Sequence, residues 1–99
     1  MRLTYHPDAE GELIEAARYY ESRVTSLGVQ FLAEADRAVL VILVAPERWK
    51  ALDDDVRSYL MTRFPYSVYY RVHPGRIHIL AFKHHSRHPD YWRYRISNE

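Results

Sequence analysis

The sequence predicts an α+β fold in the order β-α-α-β-β-β, with a helical hairpin packed on a mostly antiparallel four-stranded sheet. Three observations predict it. Two apolar patterns of helical spacing fill most of the first half. From Val56 onward the apolar period drops to two. A short alternating segment, Arg2 to Tyr5, precedes the first helix. Two helices beside one sheet then cover one of its faces. The opposite face is expected to stay partly open and to carry many of the Arg, Tyr and His side chains.

Each element has its own signal. Arg2 to Tyr5 reads as an opening strand. His6-Pro7-Asp8-Ala9-Glu10 reads as a helix start, because Pro fits the first turn and acids there complement the helix dipole. Ala9, Leu13, Ala16, Ala17, Tyr20 and Val24 trace one helical face. Glu10, Glu12, Glu15 and Glu21 are read as its solvated side. Thr25-Ser26-Leu27-Gly28 breaks the pattern and offers a cap for a second helix. Phe31, Leu32, Ala35, Val39, Ile42 and Leu43 carry that helix to a stop at Ala45-Pro46. A connection this short predicts an antiparallel hairpin. Val56 to Met61, Tyr66 to Val72 and Arg76 to Lys83 read as strands, separated by the Arg63-Phe64-Pro65 bend and the His73-Pro74-Gly75 turn. Tyr91 to Ile96 is left as a short helix or an irregular tail.

Residues 1–99 are expected to form a single domain. The absence of cysteine excludes disulfides and thiolate metal sites, and it suits a cytoplasmic location. No leader pattern is visible at the start. The longest apolar run, Ala38 to Pro46, is far below the ~20 residues of a membrane span.

The formal charge of +1 hides an asymmetry. Residues 1–55 hold six basic and eleven acidic side chains, whereas residues 56–99 hold eight basic and two acidic ones. Such a split points to an anionic partner for the basic half. Twelve of the fourteen basic residues are Arg, whose planar fork suits phosphate and carboxylate.

The stretch Phe82 to Arg95 concentrates the chemistry, with three His, three Arg and four aromatic residues. Arg57, Arg63, Arg71 and Arg87 either converge into an anion site or pair separately with neighbours. A His beside Arg87 and Tyr91 could transfer protons, since the unperturbed imidazole pKa is ~6.5. His84 and His85 are adjacent on a strand and point to opposite faces, so no metal site is expected from them. Trp92 is read as a packing residue that clamps the tail, and Tyr66, Tyr69 and Tyr70 as sheet-face packing. Gly-rich phosphate loops, GxSxG and HExxH are all missing.

The strings Arg63-Phe64-Pro65-Tyr66-Ser67-Val68-Tyr69-Tyr70-Arg71-Val72 and Ala81-Phe82-Lys83-His84-His85-Ser86-Arg87-His88-Pro89-Asp90-Tyr91-Trp92 closely resemble the RelE/ParE superfamily of bacterial toxins. His6-Pro7-Asp8-Ala9 and the Gly28-x-x-Phe31 step resemble it too. The resemblance implies the toxin of a type II toxin–antitoxin system (a plasmid-stabilisation, ParE-like member), in the cytoplasm and neutralised by a cognate antitoxin in a hetero-oligomer. It implies no cofactor.

Two activities share this scaffold, so the fold does not choose between them. ParE-like members inhibit growth by binding DNA gyrase. RelE-like members are ribosome-dependent, metal-independent endoribonucleases that cut mRNA. In the second branch Arg87 matches a catalytic Arg and Tyr91 lies near a catalytic Tyr. His85 is a candidate proton carrier, and Arg57, Arg63 and Arg71 are candidate phosphate or target contacts. Two departures tilt the reading toward binding of gyrase or another protein: Arg57-Ser58-Tyr59 stands where lysines are usual, and Ser67 where an Arg is expected.

Overall fold

The computed structural model describes residues 1–99, the side chain of Asn98 excepted. Strand β1 (Arg2–Tyr5) runs straight into helix α1 (Pro7–Arg23). His6 caps α1, its buried ring accepting from Asp8 N at 3.0 Å. Helix α2 (Leu27–Val44) follows, then a loop and a short 3₁₀ turn at Asp53–Asp55. Strands β2 (Val56–Leu60), β3 (Tyr66–His73) and β4 (Arg76–His84) complete the sheet, and a 3₁₀ turn at Arg93–Asn98 forms the tail.

The α1–α2 turn departs from the expected cap. Ser26 has a φ of 72° and its side chain makes no capping bond. Glu21 does this work from α1, accepting from Ser26 N at 2.8 Å and Gly28 N at 2.9 Å. Gly28 is required for a different reason. A Cβ there would lie 2.3 Å from the Ala17 carbonyl oxygen, so the absence of a side chain lets the helices meet.

The sheet order is β1-β4-β3-β2. The β2–β3 and β3–β4 pairs are antiparallel, and β1 lies parallel to β4. The helix-facing side buries Val68, Tyr70, Ile77, Ile79 and Phe82 against Ala9, Ala16, Phe31, Ala35 and Ile42. Between Tyr69 and Tyr70 the register skips from Ala81 to Ile79, leaving Leu80 as the extra residue of a bulge. Leu80 and Ala81 therefore both enter a second, smaller core with Val56 and Trp92.

That second core covers part of the sheet face away from the helices, because the tail folds back over it and Trp92 packs there as expected. Trp92 is 1% exposed, lies with its ring 5.1 Å from that of Tyr69 at a 48° tilt, and donates its indole N–H to Pro89 O at 2.7 Å. Among the described residues, no helix is long and apolar enough to cross a membrane.

Candidate functional site

The site grows from a problem at the sheet edge. β1 ends at Tyr5, where His6 N still donates to Ile79 O at 2.9 Å. β4 continues to His84, so its outer edge past Ile79 has no strand beside it. Backbone polar groups left unpaired in a buried setting are costly. Two side chains take over: Glu12 accepts from Phe82 N at 3.1 Å, and Arg95 donates to Leu80 O at 2.9 Å.

The same two residues join each other. Arg95 Nη1 and Nη2 donate to the Glu12 carboxylate at 2.9 and 3.0 Å, a two-pronged pair. Tyr91 also donates its hydroxyl to Glu12. Burial and that bond push the Tyr91 hydroxyl well above its ordinary range, so it stays protonated. Burial opposes the Arg95 charge, but bonds to Glu12 and Tyr94 outweigh it and raise its pKa. Arg87 lies with its guanidinium 4.1 Å from the Tyr91 ring centre. Tyr94 donates to Asp8, tying the tail to the start of α1 and lowering the Asp8 carboxyl.

Above this junction opens a cleft of about 750 Å³, lined by Glu12, Glu15, Arg18, Tyr19, Tyr66, His84, Arg87 and Tyr91 among others. Arg18 and Arg87 make no ion pair with a carboxylate among the described residues. His84 sits edge-on to Tyr66 at 5.1 Å, and its Nδ1 accepts from Ser86 N at 3.0 Å. The arrangement is an aromatic-walled groove with two cations at its rim.

The structure brings Arg87 and Tyr91 together and places the other candidates elsewhere. His85 pairs with Ser67 Oγ at 3.3 Å, and it is His84 that lines the cleft. Arg57 donates to the carbonyls of Trp49 and Glu47 in the loop after α2. Arg63 donates to Gln30 on α2 and lies over Phe64. Arg71 is on the opposite sheet face, paired with Glu99. The convergent anion site is therefore not formed by these residues. Among the described residues no group of three or more His, Asp or Glu is placed to hold a metal ion.

Glu12 is the correction on the acidic side. It was expected on a solvated face, yet its side chain is 15% exposed and sits at the centre of the junction. A signal was present: Glu12 falls three residues after buried Ala9 and four before buried Ala16, on the apolar stripe. Arg95 carried a weaker signal, three residues after Trp92, where 3₁₀ side chains eclipse.

Residues 3–89 match the family model described as the ParE toxin of the type II toxin–antitoxin system, parDE. This chain belongs to the ParE toxin family. The match ends before Tyr91, Trp92 and Arg95, so the tail that completes the cleft in this ParE-family chain lies beyond it. Among solved structures, a chromosomal ParDE toxin–antitoxin system from P. aeruginosa is similar, with a TM-score of 0.73 at 18% identity. That likeness covers 85% of this chain and 95% of that one and speaks for the fold. No curated protein matched the sequence.

Proposed function

We propose that this ParE-family chain is a cytoplasmic toxin that inhibits growth by binding DNA gyrase or another protein target, and that a cognate antitoxin neutralises it in a hetero-oligomer. The hydrogen bond that ties the Tyr91 hydroxyl to Glu12 is the observation that carries the reading. Cleavage of RNA beside Arg87 needs a proton carrier within reach. Tyr91 donates its hydroxyl to Glu12, and His85 is turned to Ser67. Arg57, Arg63 and Arg71, the expected phosphate contacts, are each engaged elsewhere. A binding surface needs none of that machinery.

The alternative, a ribosome-dependent endoribonuclease, has one observation in its favour: His84, Ser86 and Arg87 line one cleft. The same cleft, bordered by α1 and β4, supports docking of an antitoxin segment that orders as it binds. Induced expression, with RNA 5′-end mapping and a plasmid-topology gel from one culture, separates the readings. The expected result is altered plasmid supercoiling with no new mRNA ends. Cuts at ribosomes with normal supercoiling would overturn it in favour of the nuclease. Co-purification with the product of an adjacent gene tests the antitoxin, and a stable lone protein that leaves growth unchanged would count against the whole reading.

A further inference from the structure

Away from the cleft, the other sheet face holds a compact block of Arg and His side chains. The β3–β4 register sets Arg71 beside His78 and His73 beside Arg76. The β1–β4 register sets Arg2 beside Arg76 and Thr4 beside His78. The alternating neighbours Leu3, Val72 and Ile77 pack toward the helices, so these Arg and His side chains share the opposite face. Like charges placed directly across a sheet repel each other, and no strand residue of this block is acidic.

The balancing carboxylate comes from the tail. Glu99 accepts from Arg71 and lies 2.7 Å from His73 Nε2, with its side chain only 8% exposed. Burial works against the Glu99 charge, but the bonds from His73 and Arg71 prevail and lower its pKa. Beside it, Arg76 donates to Thr4 Oγ1 at 3.0 Å and approaches His78 Nδ1 at 3.3 Å. Arg can only donate, so Nδ1 accepts and the ring proton sits on Nε2. Among the described residues, His78 Nε2 is a buried side-chain atom without a hydrogen-bond partner.

We propose that Arg2, Arg71, His73 and Arg76 form a carboxylate-binding surface for an extended acidic peptide, and that Glu99 is its occupant within the chain. The chemistry is already displayed, since the group held there is a glutamate side-chain carboxylate with one oxygen toward Arg71 and the other toward His73. Spacing supports an extended ligand. Arg71 and His73, two residues apart on β3, lie ~6.7 Å apart along the strand, the interval at which alternate side chains of an extended peptide project to one side. The surface stands apart from the Arg87 cleft, so this inference does not depend on the toxin reading.

Fluorescence anisotropy with the intact protein tests it, using a labelled synthetic peptide of alternating Glu and Thr and a matched Gln–Thr peptide. The Glu peptide is expected to bind and the Gln peptide to fail. Glu99→Gln should tighten binding about fivefold by removing the tethered competitor. Arg76→Gln should weaken it about tenfold through loss of a charge-assisted contact. Arg2→Gln, at an exposed position, should weaken it in the same direction and guards against a folding defect in the first variant. No binding, equal binding of both peptides, or an affinity indifferent to Glu99→Gln would overturn the proposal. So would an oligothymidylate that binds more tightly and displaces the Glu peptide, since the surface would then be one for nucleic acid.

Discussion

Glu12 and Arg95, 83 positions apart, meet through hydrogen bonds of 2.9 and 3.0 Å and together close the outer edge of β4. Their side chains are 15% and 5% exposed. Removing one partner of such a pair leaves the other charge buried and alone. Glu12→Ala should therefore cost about 3 kcal/mol in urea unfolding. Glu12→Leu combined with Arg95→Met should recover part of that loss. A double variant as unstable as the sum of its two singles would show that the residues act separately.

Trp92 holds the tail against Val56, Leu80 and Ala81. Trp92→Ala should lower stability by about 3–5 kcal/mol through the cavity it leaves. The tail should also loosen ahead of the rest of the fold. Limited trypsin digestion should then cut first at Arg93 or Arg95, and an unchanged digestion pattern would contradict the clamp.

Gly28→Ala brings a Cβ to 2.3 Å from the Ala17 carbonyl and 2.9 Å from Glu21 Cβ. Because the nearer atom belongs to the backbone, the helices must move apart. The expected loss is about 1–3 kcal/mol, read as a lower thermal midpoint. Gly11→Ala, where a Cβ meets nothing within 4 Å, should be neutral or stabilising.

Acid should destabilise the fold in two stages. Burial, opposed by Glu99 and aided by Arg76, depresses the His78 pKa below its ordinary 6.5. The unfolded chain takes up that proton first as pH falls, so stability declines from about pH 6.5 downward. Glu99 is also depressed below its ordinary 4.5, so its contribution is complete above that pH and is lost as pH falls through the lowered value. In calorimetry across pH, His78→Gln should flatten the upper stage and Glu99→Gln the lower. A parallel shift of the whole curve would contradict this assignment.

Periodicity made most of the fold legible. Pro7 opens α1, Ala45-Pro46 follows α2, and the change of period at Val56 marks the start of β2. Pairing register was not legible, and it decides where the Arg side chains go. Arg57 pairs with Tyr70 and shares its helix-facing side, while Arg71, one residue on, points the other way. Nothing in the sequence reveals that parity before the strands are aligned. His85 and His84 differ by the same single step. The packing of Trp92 was legible, but the partners of Arg95 were not, because Glu12 on α1 and Leu80 on β4 lie far from it in the sequence.

The parallel pairing of β1 with β4 has a consequence for synthesis. β1 leaves the ribosome well before its neighbour and finds it only after residues 76–84 have emerged. At roughly 5–20 residues per second, the helical hairpin spends several seconds with its greasy side uncovered. A chain that stops before residue 76 cannot close this sheet, because the partner of β1 is then missing.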